Sequence, residues 1–248
     1  MTHVKYSDEV PYGEILMKTI GLIGGMSWES SKEYYRIINE TVNEKLGGLH
    51  SAKCILYSLD FGESMEIKNT KGWGELTKVL MDAAQKLEAA GADVVLICTN
   101  TMHKLVPEIQ RMISVPILHI VDATAEKILE KGLKRVGLFG TNMTMEEDFY
   151  KGRMRERFGI DVLVPDKDER DFIDTVIFAE LCLGKMNSSS KTRFKEIIGK
   201  LVQNGAEGII LGCTEIPLLI KQEDVNVPIF DTTEIHAKAA VEYALKEP

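Results

Sequence analysis

Short apolar runs alternate along the chain with longer segments whose apolar positions recur at helical spacing. The apolar runs have the length of strands and cover 18–24, 52–59, 93–98, 115–120, 134–140, 161–164, 208–213 and 227–230. Between two such runs, 73–90 carries apolar side chains at intervals of three and four residues, as an amphipathic helix does. Strands that alternate with helices form parallel sheets covered by helices. The pattern therefore predicts an α/β fold.

The second half of the chain repeats the first. Gly91-Ala92-Asp93 and Gly205-Ala206-Glu207 lie 114 residues apart, and each precedes an apolar run. Other segments repeat at offsets of 113 to 116 residues, and Tyr34 then falls opposite Tyr150. We predict two pseudosymmetric lobes, each a parallel sheet flanked by helices, with the active site in the cleft between them. The predicted boundaries are an N-terminal extension at 1–16, lobe 1 at 17–115, lobe 2 at 116–227, and a C-terminal segment, 228–248, that returns to lobe 1.

Each repeated apolar run ends in a short polar loop that presents a small nucleophile-type side chain. The two loops are Thr99-Asn100-Thr101 and Cys213-Thr214-Glu215, and the repeat places Thr99 opposite Cys213. Ligands of parallel sheets bind outside the carboxyl ends of the strands. Since successive strand side chains point to opposite faces, Cys98 is expected to face packing rather than the cleft. The two loops are therefore predicted to share one site.

Composition excludes several classes of partner. The net charge of −8 argues against a nucleic acid or an anionic membrane as partner. No apolar run reaches the ~18 residues that span a bilayer, and the first 16 residues lack the apolar core of a signal peptide, so we expect a cytoplasmic protein. The four cysteines show no metal-type spacing. Cys54 and Cys182 are expected to be buried apolar residues, whereas Cys213 is open to a structural or a functional role.

The remaining motifs narrow the range of reactions and ligands expected for this chain. The turn Gly21–Gly25 lacks the G-x-G-x-x-G order, and no phosphate-binding loop is present in the sequence, so nucleotide binding is not expected. No histidine is tied in sequence to Cys213, as acyl transfer by a thiol would require. Interconversion of enantiomers needs one group that removes a Cα proton and another, on the opposite face, that returns it. Two equivalent loops facing one cleft supply this geometry.

Three segments carry a resemblance to a known family: 24–30 (Gly-Gly-Met-Ser-Trp-Glu-Ser), 97–103 (Ile-Cys-Thr-Asn-Thr-Met-His) and 211–217 (Leu-Gly-Cys-Thr-Glu-Ile-Pro). They resemble loops of the aspartate/glutamate racemase family, and the similarity extends from Lys18 to the C-terminus. The resemblance implies an amino-acid racemase that uses two cysteines as acid and base, needs neither a metal nor pyridoxal phosphate or any other cofactor, and is usually a homodimer. Its partner would be a small-molecule amino-acid substrate.

One departure from the family pattern has a consequence for catalysis. The family's first loop has a cysteine directly before the asparagine, and here Thr99 holds that position. A thiol reaches a useful thiolate fraction near neutral pH when its surroundings help, whereas an alcohol needs a strong neighbouring base. Cys213 is therefore the expected base and Thr99 a poorer partner or a proton relay. Because the resemblance places the second-loop cysteine on the L side, we expect L-amino acids to be processed preferentially.

The resemblance also implies the substrate site. Its candidate residues are Met26, Ser27, Lys68, Asn100, Thr101, Met102, Thr141 and Thr214. Lys68 would receive a side-chain carboxylate, although a solvated surface lysine is equally compatible with the sequence. A second family lysine corresponds to Cys182 here, which argues against strict aspartate specificity and makes broader or glutamate-type substrates plausible. Glu215 could tune Cys213, but the simpler expectation is an exposed loop carboxylate.

Two alternatives stay open at the level of the sequence. An enzyme of the same fold, such as a hydantoin racemase or an arylmalonate decarboxylase, is one, because a decarboxylase needs only a single well-placed acid. The other is a non-catalytic cytosolic amino-acid sensor whose two lobes close on a small acid. Fold analogy supports all of these, so the chemistry of the site has to distinguish them.

Overall fold

Two parallel sheets form the centre of the protein, as seen in a computed structural model that describes residues 16–246. The strands of the first sheet, in the order β2-β1-β3, are β1 (Ile20–Gly24), β2 (Cys54–Ser58) and β3 (Val94–Ile97). Those of the second, in the order β5-β4-β6-β7, are β4 (Arg135–Phe139), β5 (Asp161–Leu163), β6 (Ile209–Leu211) and β7 (Ile229–Asp231). Every pairing is parallel. The predicted α/β fold is confirmed.

Helices connect the strands and cover the sheets. In the first half they are α1 (Trp28–Leu46), α2 (Phe61–Lys71), α3 (Trp73–Ala89), α4 (Val106–Gln110) and α5 (Ile120–Glu130). In the second half they are α6 (Asn142–Glu146), α7 (Asp148–Phe158), α8 (Lys167–Ala179), α9 (Ser188–Gln203), α10 (Ile216–Leu219) and α11 (Thr232–Leu245). Within residues 16–246, no helix combines the length and the apolar character required to cross a membrane. Of the predicted N-terminal extension, residues 1–15 lie outside the described part of the chain.

Two strands of the first sheet are buried on both faces because helices cover the sheet from two sides. β1 and β3 are fully buried, and α3 packs against one face with Leu76, Leu80 and Leu87. α1 packs against the other face with the fully buried Tyr34 and Ile38. Continuous apolar runs are typical of strands buried on both faces. This packing fixes the carboxyl ends of the strands, from which the site loops emerge.

The final helix of each half packs into the core of the other half. α5 follows the first sheet, yet its apolar face joins the core formed around β4 and β6. α11 follows the second sheet, and its Ala237, Ala240, Val241 and Ala244 pack with the residues of β1, β3 and α1. Small side chains let α11 lie close to α1. This exchange links the two sheets and holds their loop-bearing edges against each other.

The predicted strand at 115–120 is wrong. The segment makes a single bridge, between Val95 and Ile117, and Gln110 contacts the backbone of Val115 and Ile117 through its side-chain amide. The imidazole of His119 then accepts a hydrogen bond from the Val121 N–H, so α5 begins at Ile120. The apolar run is therefore divided between a bridge and the first turn of a buried helix. Helices α2, α5, α6, α7, α8 and α10 were not predicted from the sequence pattern.

Candidate active site

The loops that follow β3 and β6 line one cavity of about 320 Å³. It contains every residue singled out from the sequence, namely Met26, Ser27, Lys68, Thr99, Asn100, Thr101, Met102, Thr141, Cys213 and Thr214. In each half, the strand beside the central strand delivers its loop to the same edge of the sheet. Residues that are far apart in sequence therefore meet because the topology is duplicated.

A glycine turn after β1 brings Met26 and Ser27 to the cavity. Gly25 has a positive φ of 88°, and a Cβ there would collide with the backbone of Leu59. Its N–H donates to the Ser31 hydroxyl at 2.8 Å, which ties the turn to the first turn of α1. Only glycine fits this position, since other residues rarely adopt the left-handed conformation and none lacks the Cβ.

Cys98 and Thr99 are adjacent in sequence but lie in different surroundings. Cys98 is 1% exposed and packs in the apolar core around β1, β3 and α11, where burial raises the pKa of its thiol well above the ordinary value. Thr99 is the residue of this pair that lines the cavity, and its carbonyl accepts a hydrogen bond from His103 Nδ1 at 2.8 Å. A buried thiol that stays protonated and points into the core does not serve as the second base.

The side chains next to Thr99 are tied to the other half of the molecule. Asn100 donates from its amide to the Thr232 hydroxyl at 3.0 Å, and Thr232 donates to the Leu211 carbonyl of β6 at 2.9 Å. Thr101, Thr141 and Thr144 form a cluster of hydroxyls with oxygen–oxygen distances of 3.2 to 3.3 Å. These contacts hold the first loop in a fixed position relative to β6 and its loop.

Cys213 lies beside a buried carboxylate. Its Sγ donates to Glu215 Oε2 at 3.0 Å, the Thr214 hydroxyl donates to the same oxygen at 2.6 Å, and the Ser27 hydroxyl donates to Oε1 at 3.3 Å. Burial, and next the charge and hydrogen bond of Glu215, raise the pKa of the Cys213 thiol well above its usual range. The expectation of an exposed loop carboxylate is wrong, because Glu215 is only 7% exposed.

α2 and α8, two helices that the sequence pattern did not predict, also line the cavity. α2 contributes Phe61, Met65 and Lys68, and the Lys68 ammonium lies 5.6 Å from the centre of the Trp73 ring. α8 contributes Asp174, Ile177 and Phe178. Lys68 was singled out through the family resemblance. The sequence of α2 is only weakly periodic and gives no signal for Phe61 and Met65. α8 is amphipathic, and the spacing of its buried Ile173, Val176 and Ile177 is a signal from which this helix could have been predicted.

The position of Cys182 differs from the one expected from the sequence. It was expected to be a buried apolar residue like its neighbours, but it is an exposed residue of the short helical turn Leu181–Leu183 and lines the cavity. Burial of part of the side chain and the charge of Glu215 raise the pKa of its thiol to about 12. At neutral pH this position therefore presents an uncharged thiol.

Three histidines cluster behind the first loop, outside the residues that line the cavity. The ring centres of His103 and His119 are 4.8 Å apart, and those of His103 and His236 are 5.4 Å apart. Burial lowers the pKa of His103 to about 4 and that of His236 to about 3, so both rings are neutral at physiological pH. His236 bridges Tyr34 and the Leu118 carbonyl. These rings support the first loop and do not contact Cys213.

Known proteins share this fold and sequence pattern. A family model described as Asp/Glu/Hydantoin racemase matches residues 23–240. The chain is 29% identical over 167 residues to the broad specificity amino-acid racemase RacX of Bacillus subtilis (strain 168), which covers 67% of this chain and 71% of that protein.

Two crystal structures are similar over nearly the whole chain. One is a proposed Asp/Glu racemase from Yersinia pestis, with 50% identity, a TM-score of 0.89, and coverage of 93% of this chain and 100% of that one. The other is an aspartate racemase homologue from Pyrococcus horikoshii OT3, with 40% identity, a TM-score of 0.83 and the same coverage.

Proposed function

The chain belongs to the Asp/Glu/hydantoin racemase family of isomerases, and we propose that it racemizes aspartate and glutamate without a cofactor, with preference for the L-enantiomers. The observation that carries this proposal is the meeting of Thr99 and Cys213 in one cavity, on loops that the internal repeat makes equivalent. A substrate between the loops would present opposite faces of its Cα to the two side chains, which is the geometry that proton removal and return require.

The two side chains differ in their fitness as bases. A thiolate is a competent carbon base near neutral pH, whereas a threonine hydroxyl needs a strong base beside it. The described side chains that form hydrogen bonds in the first loop are the hydroxyls of Thr101, Thr141 and Thr144, the Asn100 amide, and the neutral His103 imidazole, which donates to the Thr99 carbonyl and not to its hydroxyl. Cys213 would therefore remove the Cα proton of one enantiomer efficiently, and Thr99 would chiefly pass a proton to the opposite face. Family resemblance assigns the thiol to the L side.

The cavity suits a dicarboxylic amino acid. The second N–H of the Asn100 amide and the Thr101 hydroxyl can hold the α-carboxylate, since hydrogen bonds to ionised groups are the strong ones, whereas the Ser27 and Thr214 hydroxyls donate their protons to Glu215. Lys68 makes no ion pair within residues 16–246, so its charge is available for a side-chain carboxylate. The uncharged Cys182 thiol leaves room on the opposite wall, which favours acceptance of both aspartate and glutamate. The enzyme would act as a homodimer.

Chiral chromatography of a substrate panel tests this function. The panel holds both enantiomers of aspartate and glutamate, a 5-substituted hydantoin and an arylmalonate, each incubated with wild type, Cys213→Ala and Thr99→Cys. We expect racemization of L-aspartate or L-glutamate that Cys213→Ala abolishes, and faster turnover of the D-enantiomers by Thr99→Cys. Turnover of the hydantoin or the arylmalonate alone would assign the protein to a different reaction of the same fold. Binding of an amino acid without any turnover would make it a sensor.

A further inference from the structure

A second cavity, of about 250 Å³, adjoins the turn Thr101–Leu105 that follows the first loop. Its polar wall includes two residues of this turn, the first cap of α5 and two residues of α7, namely His103, Lys104, His119, Arg153 and Arg157. Within residues 16–246 it shares no lining residue with the active-site cavity. It is therefore a separate cavity, to which the proposed function assigns no role.

His103 brings an unpartnered hydrogen-bond acceptor to the wall of this second cavity. Its Nδ1 lies 2.8 Å from the Thr99 carbonyl, which can only accept, so Nδ1 carries the proton and Nε2 keeps its lone pair. Nε2 has no partner within residues 16–246, although the side chain is only 1% exposed. Buried polar atoms without a partner are rare in native proteins. A ligand that donates a hydrogen bond would satisfy this atom.

His119 and Arg153 supply donors close to this acceptor. The His119 Nδ1 accepts from the Val121 N–H at 3.2 Å, so the proton of this neutral ring lies on Nε2. The ring centres of His119 and His103 are 4.8 Å apart. Burial is the main cause that lowers the pKa of both imidazoles, and the positive charge of Arg153 contributes in each case because the guanidinium lies near both rings. The cavity therefore combines one acceptor with several donors.

Two arginines of α7 share a single carboxylate beside the second cavity. Asp122 Oδ2 accepts from Arg153 Nη2 at 2.7 Å and lies 3.1 Å from Arg157 Nη1. A guanidinium has five N–H donors, so one carboxylate leaves donors of both arginines unused within residues 16–246. The carboxylate of a ligand would complete this cluster with charge-assisted hydrogen bonds, which are the strong ones.

The acidic residues of the second cavity favour a zwitterion over a simple anion. Asp148 and Glu156 line this cavity together with the basic residues. Within residues 16–246 their ion-pair partner is Arg155, at the long distances of 3.8 and 3.9 Å. Both carboxylates would repel a simple anion and attract an ammonium. An ammonium is also a donor of the kind that His103 Nε2 requires.

We propose that the second cavity binds a small amino acid. The carboxylate of the ligand contacts Arg153 and Arg157, and its ammonium donates to His103 Nε2. The two charged groups of an amino acid are attached to one carbon, which suits a cavity of about 250 Å³. Pro107 and Phe149 also line the cavity and provide apolar surface for a side chain. This site goes beyond the proposed racemization and does not depend on it.

NMR of the histidine side chains tests this site with glycine, acetate and methylamine as probes. None of the three can be racemized, and acetate and methylamine each lack one of the two charged groups of glycine. The histidine rings are labelled with ¹⁵N, and the signals of His103 are those that disappear in His103→Asn. We expect glycine to move the Nε2 signal of His103 upfield, as for a nitrogen that accepts a hydrogen bond. Acetate and methylamine should bind about 10-fold or more weakly, because each lacks one charge-assisted contact.

Variants of two lining residues and a matched control locate the bound glycine. Arg157→Gln should weaken glycine binding about 10-fold or more, because it removes a charged contact to the carboxylate. Lys151→Gln removes a positive charge from the same helix outside the cavity, and it should bind glycine as the wild type does. His103→Asn keeps an amide N–H for the Thr99 carbonyl but lacks Nε2. It should weaken glycine binding, followed by the signals of His119.

The outcomes separate a second amino-acid site from binding elsewhere. Equal affinity for glycine and acetate, or a His103 Nε2 signal that glycine does not move, would overturn the proposal. Glycine binding of wild-type strength in Arg157→Gln would place the ligand outside the second cavity and would overturn it too. Should Arg157→Gln not fold, His103→Asn decides by the same comparison. Absence of amino-acid racemization by the wild type would instead overturn the proposed function and leave the second site standing.

Discussion

Replacement of Thr232 by valine should destabilise the protein and loosen the first loop. The Thr232 side chain is fully buried, and its hydroxyl accepts from the Asn100 amide at 3.0 Å while donating to the Leu211 carbonyl at 2.9 Å. Valine has almost the same shape, so the change removes both hydrogen bonds without opening a cavity. The Oδ1 atom of Asn100 has no partner within residues 16–246, so the amide would lose the one contact that orients it.

The expected loss of stability follows from the two polar groups that Thr232→Val leaves without their partner, the Asn100 amide and the Leu211 carbonyl. A neutral hydrogen bond contributes about 0.5–1.5 kcal/mol, and a buried polar group left unpaired costs about 1–3 kcal/mol. We therefore expect the free energy of unfolding to fall by about 2–4 kcal/mol. With a urea m-value of about 3 kcal/mol/M, the unfolding midpoint would fall by about 1 M. Racemization should also slow, because Asn100 adjoins Thr99.

The neighbouring threonine provides a matched control. Thr233 is also buried, but its hydroxyl has no hydrogen-bond partner in the part of the chain that the structure describes. Thr233→Val should therefore leave the free energy of unfolding within about 0.5 kcal/mol of wild type or raise it. Urea unfolding followed by circular dichroism compares the two variants. Equal stability of Thr232→Val and Thr233→Val would refute the account of how the first loop is tied to β6.

Two further predictions concern substrate affinity and pH. Lys68→Met should raise the KM for aspartate and glutamate by about 10- to 100-fold with a smaller effect on kcat, because a charge-assisted contact worth about 1.5–3 kcal/mol is lost. Lys71→Met, on the same helix, is the control. An unchanged KM in Lys68→Met would contradict the role of Lys68 in substrate binding. Burial raises the pKa of the Asp231 carboxyl to about 6 in the folded protein. The folded protein therefore loses stability as the pH rises from the pKa that this carboxyl has in the unfolded chain through about 6. Asparagine still caps α11, so Asp231→Asn should gain urea stability relative to wild type at about pH 8 but not at about pH 4; the same difference at both pH values would refute this.

The sequence predicted the parts of the site that depend on local pattern and on the repeat. Apolar runs that end in Thr99 and Cys213 are visible as strings of letters, and duplication of the run predicts that their loops share one edge. Cys98 could be assigned to the core for the same reason, since the side chains of a strand alternate. None of these inferences requires knowledge of contacts between distant residues.

The features of the site that the sequence did not predict depend on contacts between residues that are distant in the chain. Glu215 is buried because Ser27, 188 positions earlier in the chain, covers it and donates to its Oε1. Cys182 lines the cavity because α8 ends before it and turns it outward, although its neighbours are leucines. The segment 115–120 has the composition of a strand, but His119 caps a helix within it. Tertiary packing decided each of these outcomes against the local pattern.

Deuterium exchange at the Cα carbon shows whether Cys213 removes the Cα proton of an L-amino acid. NMR would follow both enantiomers of aspartate and glutamate in D₂O with wild type and Cys213→Ala, at one pH near neutrality. We expect exchange that is faster from the L- than from the D-enantiomer and that disappears in Cys213→Ala. Exchange of the L-enantiomers by Cys213→Ala at the wild-type rate, or equally fast exchange of both enantiomers by the wild type, would contradict it.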